Sequence, residues 1–292
     1  MTDLIIDTDV AMGIWHEGRP RDIDDGFAIV EAINNPRLNL LGVTCVFGNG
    51  PIDEVYRVAQ ELTHIKQVNT PVVKGAGVNL ETRSDTNPAV EFMADRLRQQ
   101  RLSIAAIGPL TNIGLLVKHH PDLIGNIEEL IIVGGRSKDA EFYIGSAGPV
   151  MDFNFENDVL AVEVVMAAGI PMVLMGFELT RQVSVTAKDL EAIRAHNNPT
   201  AQYFYDNSQE WCHYWTTTFP VDEGFHPWDS ATIAWLLDRS MFESELRGHR
   251  VLRAPDRLET DRNFPGPVHT YCTGFVPGGD VRFVKTVIEQ VY

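Results

Sequence analysis

The sequence is poor in cysteine, in basic residues and in long apolar runs. Its three cysteines, Cys45, Cys212 and Cys272, show no C-x-x-C spacing, so the 292-residue chain indicates neither a disulfide framework nor a zinc site. Lys and Arg number 24 against 40 Asp and Glu, which gives a formal charge of −16. That charge disfavours a nucleic-acid backbone or an anionic membrane as partner and favours a small neutral or cationic ligand.

Targeting segments and linkers are also missing. The first nine residues show no basic region followed by a long apolar stretch, and no run approaches the length of a membrane span. We therefore expect a cytoplasmic protein. No Gly, Ser or Pro-rich linker, repeat or low-complexity tract divides the chain, and its 44% hydrophobic content is ample for a core. We expect one domain over residues 1–292.

Short apolar runs alternate with segments of helical period along the chain. The runs predict strands at residues 4–6, 38–47, 71–73, 103–107, 130–133 and 171–175. The periodic segments predict helices that start near Asp24 and Asp229 and that cover residues 52–65, 88–100, 113–117, 159–168 and 281–290. Beyond Arg250 we expect short strands and turns before the last helix. The pattern predicts an α/β fold, with an open, mostly parallel sheet covered by helices on both faces.

Five aspartates lie close together near the start of the chain. Asp7 and Asp9 end the first predicted strand, two residues apart. Side chains at that spacing point to one side, and open α/β sheets bind ligands at this edge. Asp22 is predicted as the N-cap of the first helix, with Asp24 and Asp25 in its first turn.

Capping and the helix dipole account for acids at a helix start, but not for two more at a strand end. Converging carboxylates without basic neighbours repel one another unless a hard cation lies among them. Ligation by oxygen alone suits Ca²⁺ or Mg²⁺. A metal site is therefore favoured over the alternative, a solvated acidic loop.

Several motifs follow one another in a specific order. They are Asp7-Thr8-Asp9, Asp24-Asp25, Gly48-Asn49, Gly108-Pro109-Leu110-Thr111-Asn112, Asp152-Phe153-Asn154 and Trp228-Asp229. Together they resemble the nucleoside hydrolase family, the inosine-uridine-preferring N-ribohydrolases. The resemblance implies a Rossmann-related fold and cleavage of the N-glycosidic bond of a ribonucleoside. One departure is the long segment of residues 10–23 between the first two motifs, which we expect to border the site.

The resemblance implies a Ca²⁺ site built from four residues. Asp9, Asp25 and Asp229 supply carboxylates, and Thr111 supplies its backbone carbonyl while its side chain is predicted to cap the following helix. The family arrangement lets the ion take the 2′ and 3′ hydroxyls of ribose and lower the pKa of a water. Asp9 is then the candidate general base.

Other matched positions are expected to hold the sugar. Asp24, Asn49 and Asn154 are the candidate hydroxyl ligands. Asp152 stands where the family has a glutamate, and Ser146 stands where an asparagine is common. We therefore expect the contacts of Asp152 and Ser146 with the substrate to differ from those of the family at the 5′ end of the sugar.

The residue before Asp229 is expected to contact the base of the substrate. Inosine-uridine-preferring members place a histidine there, whereas Trp228 resembles the purine-preferring members, and an indole face can stack on a protonated purine. The alternative is an ordinary packing tryptophan. In the aromatic segment of residues 198–218, the resemblance makes Tyr203, Trp211 and His213 candidate lid residues, although such spacing is more typical of a core.

These expectations combine into Ca²⁺-dependent, purine-leaning hydrolysis of a ribonucleoside to free base and ribose, by a homodimer or homotetramer as the family implies. Two alternatives use the same site: a ribohydrolase for a modified riboside, and a Ca²⁺-dependent ribose-binding protein without catalysis. A third is a haloacid-dehalogenase-like phosphatase, which also begins with a strand and D-x-D. Val10-Ala11-Met12 does not match its usual continuation, and the later motifs stay unexplained.

Overall fold

A ten-stranded sheet organises the molecule. The computed structural model describes residues 1–292 apart from the side chain of Thr180. The strands are β1 Thr2–Thr8, β2 Trp15–His16, β3 Arg19–Pro20, β4 Leu38–Cys45, β5 Val72–Lys74, β6 Leu102–Ala106, β7 Ile127–Val133, β8 Arg136–Ser137, β9 Met172–Met175, β10 Val185–Thr186, β11 Gly224–Phe225, β12 Phe242–Arg253, β13 Asp256–Asp261 and β14 His269–Phe275. The order in the large sheet is β5-β4-β1-β6-β7-β9-β14-β12-β13-β8.

Helices cover both faces of this sheet. They are α1 Asp24–Asn34, α2 Ile52–Ile65, α3 Pro88–Gln99, α4 Thr111–His119, α5 Phe153–Glu156, α6 Val159–Met166, α7 Phe177–Thr180, α8 Ala187–Arg194, α9 Pro199–Thr218, α10 Ser230–Leu237 and α11 Gly279–Glu289. Two short 3₁₀ helices lie at Ile124–Asn126 and Arg239–Met241. Among the described residues, none of the helices combines the length and apolarity needed to cross a membrane.

The centre of the sheet is parallel and buried on both faces. β1 pairs in parallel with β4 on one side and with β6 on the other. Leu4 and Ile6 belong to the core on one face and Ile5 to the core on the other, because successive side chains of a strand point in opposite directions. The predicted α/β fold with a mostly parallel sheet and helices on both faces is confirmed.

The C-terminal part differs from the prediction. Residues 242–253 form β12, the longest strand, and β14 lies between β9 and β12 within the main sheet. β14 pairs in parallel with β9 and in antiparallel with β12. Sheet pairing is decided by distant partners, so the local sequence, which reads only as short strands and turns, does not show it.

Two predicted helix caps are wrong. The N-cap of α1 is Ile23, and Asp22 instead accepts a hydrogen bond from the Ile23 N–H through its Oδ1, at 2.8 Å. The N-cap of α4 is Leu110, so Thr111 is already helical, and its hydroxyl donates to Oδ2 of Asp158 at 2.5 Å. In both cases the side chain predicted to cap the helix is hydrogen-bonded elsewhere, Asp22 to the Ile23 N–H and Thr111 to Asp158.

The long segment of residues 10–23 folds into a hairpin. β2 and β3 pair in antiparallel, and the Arg21 N–H donates to the Ile14 carbonyl at 3.0 Å. The hairpin lies against α9, where the indole N–H of Trp15 donates to Oε2 of Glu210 at 2.5 Å. We call residues 10–23 the entry hairpin, because it forms one wall of the cavity described below.

Candidate active site

Three aspartates from two distant parts of the chain meet at the carboxyl edge of the sheet. Asp24 and Asp25 start α1, and Asp229 precedes α10. Each offers a carboxylate oxygen within 4.8 Å of the others, and all three side chains are buried. The Asp229 N–H donates to Oδ2 of Asp24 at 3.1 Å, which fixes the two helix starts against each other.

Asp9 follows β1 in the same region and is fully buried. Its Oδ2 accepts a hydrogen bond from the Asn49 N–H at 2.6 Å, whereas its Oδ1 has no partner among the described residues. Gly48 and Gly108 flank the carboxylate. A Cβ at Gly48 would overlap with Oδ2, and one at Gly108 would lie 3.1 Å from Oδ1, so the absence of side chains at both positions makes room for Asp9.

The electrostatics of this cluster show that it lacks compensating charge from the protein. Burial, followed by the charge of Asp24, raises the pKa of Asp25 to about 7. Burial raises the pKa of Asp24 to about 6 and, together with the neighbouring carboxylates, raises the pKa values of Asp9 and Asp229 well above their usual range. These groups ionise together at neutral pH when an external positive charge lies among them.

A hard divalent cation fits this donor set. Oδ1 of Asp9 and Oδ2 of Asp25 are buried without a partner among the described residues, and a buried carboxylate oxygen without a hydrogen bond is costly. The other oxygen of Asp25 accepts a hydrogen bond from the Thr8 hydroxyl, which orients the carboxylate. Oxygen ligands of this kind suit Ca²⁺ or Mg²⁺.

Thr111 lies at the start of α4, fully buried. Its partner Asp158 also accepts the Leu80 N–H at 2.8 Å and the Ala161 N–H at 3.1 Å, so this carboxylate joins a loop and two helices. No sequence motif marks Asp158, yet it binds the side chain of Thr111, whose backbone carbonyl is the candidate metal ligand.

Asp7 has a supporting position rather than a place in the cavity. Its Oδ1 accepts hydrogen bonds from the Thr44 hydroxyl at 2.6 Å and from the Asn112 side-chain amide at 2.8 Å. The same amide donates to the Cys45 carbonyl at 2.9 Å. These bonds tie β1, β4 and the start of α4 together directly beneath the site.

A cavity of about 400 Å³ opens beside the aspartates. Asp24, Asp229, Asn49 and Asn154 line its carboxylate side. The other side is aromatic and is lined by Phe142, Phe177, Trp211, Tyr214, Trp215, Phe219 and Trp228. The Trp228 ring stacks on Phe177 with centroids 5.5 Å apart and an interplanar angle of 16°. A ligand with one hydroxylated half and one flat apolar half matches this division.

Two further candidates are held at the cavity wall by backbone contacts. The Asn154 side-chain amide donates to the carbonyls of Ile107 and Val133, each at 3.2 Å, which leaves its Oδ1 as an acceptor for a ligand. Oδ2 of Asp152 accepts the Gly135 N–H at 2.8 Å. Burial raises the pKa of Asp152 to about 7.

Some candidate residues do not reach the cavity. Ser146 is exposed in the turn closed by the bridge between Ile144 and Ala147, and Ile144 lines the wall in its place. The structure therefore does not bring Ser146 to the site. Tyr203 donates to Oε2 of Glu61 at 3.2 Å and His213 is exposed, so of the three candidate lid residues Trp211 alone lines the cavity.

Other residues line the cavity although no motif identified them. Asp22, Arg19 and Arg21 come from the entry hairpin, and Tyr214 and Trp215 from α9. In the sequence, the length of the segment between Asp9 and Asp24 indicated that this segment would border the site. The identity of the lining side chains depends on how the hairpin packs against α9, which the sequence pattern does not reveal.

Buried carboxylates at the carboxyl edge of an α/β sheet, beside an aromatic cavity, form a candidate site for a hard cation and a small ligand. The family model described as inosine-uridine preferring nucleoside hydrolase matches residues 4–264. The chain therefore belongs to the nucleoside hydrolase family, whose members are N-glycosyl hydrolases, and the family predicted from the sequence motifs is confirmed.

Named relatives show the same relationship. The chain is 30% identical over 258 residues to the pyrimidine-specific ribonucleoside hydrolase RihA of Shewanella sp. (strain MR-7), covering 76% of this chain and 77% of the relative. It is 31% identical over 255 residues to RihA of Salmonella typhimurium, covering 75% and 78%. The fold matches the purine-preferring ribonucleoside hydrolase from Gardnerella vaginalis with a TM-score of 0.84 and 21% identity, over 99% of this chain and 98% of that chain.

Proposed function

We propose that the protein hydrolyses the N-glycosidic bond of ribonucleosides in a Ca²⁺-dependent reaction, with a preference for purines, and releases free base and ribose. The observation that carries this proposal is the convergence of buried Asp24, Asp25 and Asp229 beside the unpartnered Oδ1 of Asp9. Two oxygens of these carboxylates, Oδ1 of Asp9 and Oδ2 of Asp25, have no hydrogen-bond partner among the described residues, and a cation would satisfy both.

We assign the metal to Asp9, Asp25, Asp229 and the Thr111 carbonyl. A bound divalent cation would supply the positive charge that keeps these carboxylates ionised, and it would offer further coordination to the ribose hydroxyls. Asp24 lines the cavity, and in the proposal it accepts a hydrogen bond from the 2′ hydroxyl. Asn49 and Asn154 complete the sugar site, the latter through its available Oδ1.

Asp9 is the proposed general base. The Asn49 N–H holds its Oδ2 and so orients the carboxylate, which in this proposal both faces the cation and accepts a proton from the attacking water. Gly48 and Gly108 fix the carboxylate by close packing on two sides. A base held in one orientation needs no rearrangement when the water attacks C1′, where positive charge develops in the transition state.

The preference for purines rests on the aromatic half of the cavity. Phe142, Phe177 and Trp228 form a continuous stack, with 3.9 Å between the first two ring centroids and 5.5 Å between the last two. A bicyclic purine covers more of such a surface than a pyrimidine does and gains more from offset stacking. The named relatives include both pyrimidine-specific and purine-preferring enzymes, so the stack carries this part of the proposal.

The test is the release of free base and ribose from inosine, adenosine, guanosine, uridine and cytidine, with Ca²⁺ and after chelation. Cleavage that needs the metal and favours the purines is the expected result. Cleavage that survives chelation would contradict the metal site, and a preference for pyrimidines would contradict the stacking argument.

Two outcomes would point to the alternatives that use the same site. Cleavage of a modified riboside alone would identify the entry hairpin and the missing Ser146 contact as adaptations to an unusual substrate. Ca²⁺-dependent binding of ribose without cleavage would identify a binding protein. We further propose a cytoplasmic homodimer or homotetramer, to be tested by cell fractionation and by light scattering of the purified protein.

A further inference from the structure

The entry hairpin brings positive charge into a cavity whose other ionisable walls are acidic. Arg19 and Arg21 line it together with Asp22, Asp24, Asp152 and Asp229. The Arg19 guanidinium lies 5.9 Å from the ring centroid of Tyr214, so the hairpin reaches the aromatic half. Arg21 follows in the same hairpin, three residues before Asp24, and also lines the cavity.

Arg21 is incompletely paired although it is buried. Its side chain is 5% exposed, and one terminal nitrogen contacts Oε2 of Glu17 at 2.5 Å. Glu17 itself is 72% exposed, so solvent screens this pair. The Nε of Arg21 is buried without a partner among the described residues. A guanidinium that lines a cavity and keeps donors beyond its one ion pair is expected to bind an acceptor on the ligand.

The reaction creates such an acceptor. Hydrolysis breaks the C1′–N bond, leaves its electron pair on the base and adds the hydroxyl of water to C1′, while the proton of that water goes to Asp9. Unless the base is protonated first, it departs as an anion and takes a proton from solvent after release. A fixed donor aimed at developing negative charge stabilises the transition state more than the ground state.

We infer that Arg21 stabilises the departing base as an anion by hydrogen bonding through its guanidinium, an inference that rests on the proposed hydrolase function. Arginine keeps its proton in proteins, so the side chain donates a hydrogen bond and does not act as a general acid. A guanidinium in the same cavity also opposes protonation of the base. Trp228 then contributes stacking area. The leaving group is an anionic base and not the protonated purine that the Trp228-Asp229 motif suggested.

The test compares two substrates whose leaving groups differ in how much stabilisation they need as anions. Inosine has a poor leaving group, whereas p-nitrophenyl β-D-riboside releases a phenolate that is stable as an anion. For Arg21→Met we expect kcat/KM on inosine to fall about 100-fold. On the nitrophenyl substrate we expect kcat/KM to fall by about tenfold at most. Arg21→Lys, which keeps the charge and a donor, is expected to recover part of the difference. Arg37→Met is the matched control, because Arg37 is exposed and does not line the cavity.

The outcomes separate this inference from the proposed function. Equal losses on both substrates would show a purely structural role for Arg21 and overturn the inference, as would an unchanged or increased rate on inosine. Cleavage of the nitrophenyl riboside by the unmodified protein supports the proposed function whatever Arg21 does. If the unmodified protein cleaves neither substrate, the proposed function fails and the inference fails with it.

Discussion

The backbone N–H of Asp229 donates to Oδ2 of Asp24 at 3.1 Å, joining residues 205 positions apart. This bond joins the starts of α1 and α10, where the carboxylate oxygens of Asp24, Asp25 and Asp229 lie within 4.8 Å of one another. Asp24 itself also lines the cavity. One contact thus connects the assembly of the fold with the chemistry of the site.

Replacing the proposed base should remove turnover without unfolding the protein. Asp9→Asn keeps the shape of the side chain but cannot accept a proton, so base release is expected to fall by about 10²- to 10⁴-fold. The measurement is kcat on inosine with saturating Ca²⁺, and Asp85→Asn, at an exposed position, is the control. Activity within tenfold of the unmodified protein would contradict the role of Asp9.

The Gly48→Ala substitution tests the space beside Asp9. A Cβ at this position would overlap with Oδ2 of Asp9, so the carboxylate must turn away from both the Asn49 N–H and the cation. We expect weaker Ca²⁺ binding in calorimetric titration and at least a tenfold loss of activity. The control is Gly125→Ala, since a Cβ there meets no atom within 4 Å. Equal effects of the two substitutions would refute the packing argument.

The Trp228→Ala substitution tests the stack in the aromatic half. The loss of a stacked aromatic ring costs about 0.5–1.5 kcal/mol beyond buried area, and a purine loses more contact than a pyrimidine. The ratio of kcat/KM for inosine to that for uridine is therefore expected to fall several-fold. Equal losses on the two nucleosides would show that Trp228 only packs the wall.

A buried histidine outside the site, His269, predicts a loss of stability in acid. Burial, followed by the charge of His249, lowers the pKa of His269 from 6.5 to about 4. The unfolded chain therefore binds a proton that the folded chain refuses between these values. The stability linked to neutral His269 is complete above pH 6.5 and is lost as the pH falls towards 4.

Substituting His269 should reduce this acid sensitivity. With His269→Gln, the decrease in the free energy of unfolding between pH 7 and pH 5 is expected to be smaller by about 1 kcal/mol. Urea unfolding at the two pH values measures it, with His64→Gln at an exposed position as the control. If the free energy of unfolding decreases as much as in the unmodified protein, another group causes the loss of stability in acid.

Local patterns predicted the central strands and most of the longer helices in the first two thirds of the chain. Apolar runs bounded by turn residues predicted the central strands, because a strand buried on both faces needs little beyond local hydrophobicity. The predicted helix over residues 52–65 matches α2 residue for residue. The position of β14 could not be predicted, since it depends on pairing with β9 and β12 far along the chain.

For the site, the sequence by itself determined the family and the convergence of acids at one sheet edge, because parallel strands deliver their carboxyl ends to the same place. Tertiary structure alone decided which side chains form the walls. It brought Arg21 and Asp22 to the cavity on the entry hairpin, left Ser146 exposed, and gave Thr111 its partner Asp158. These outcomes depend on the packing of a hairpin, a loop and two helices against one another, which no local pattern encodes.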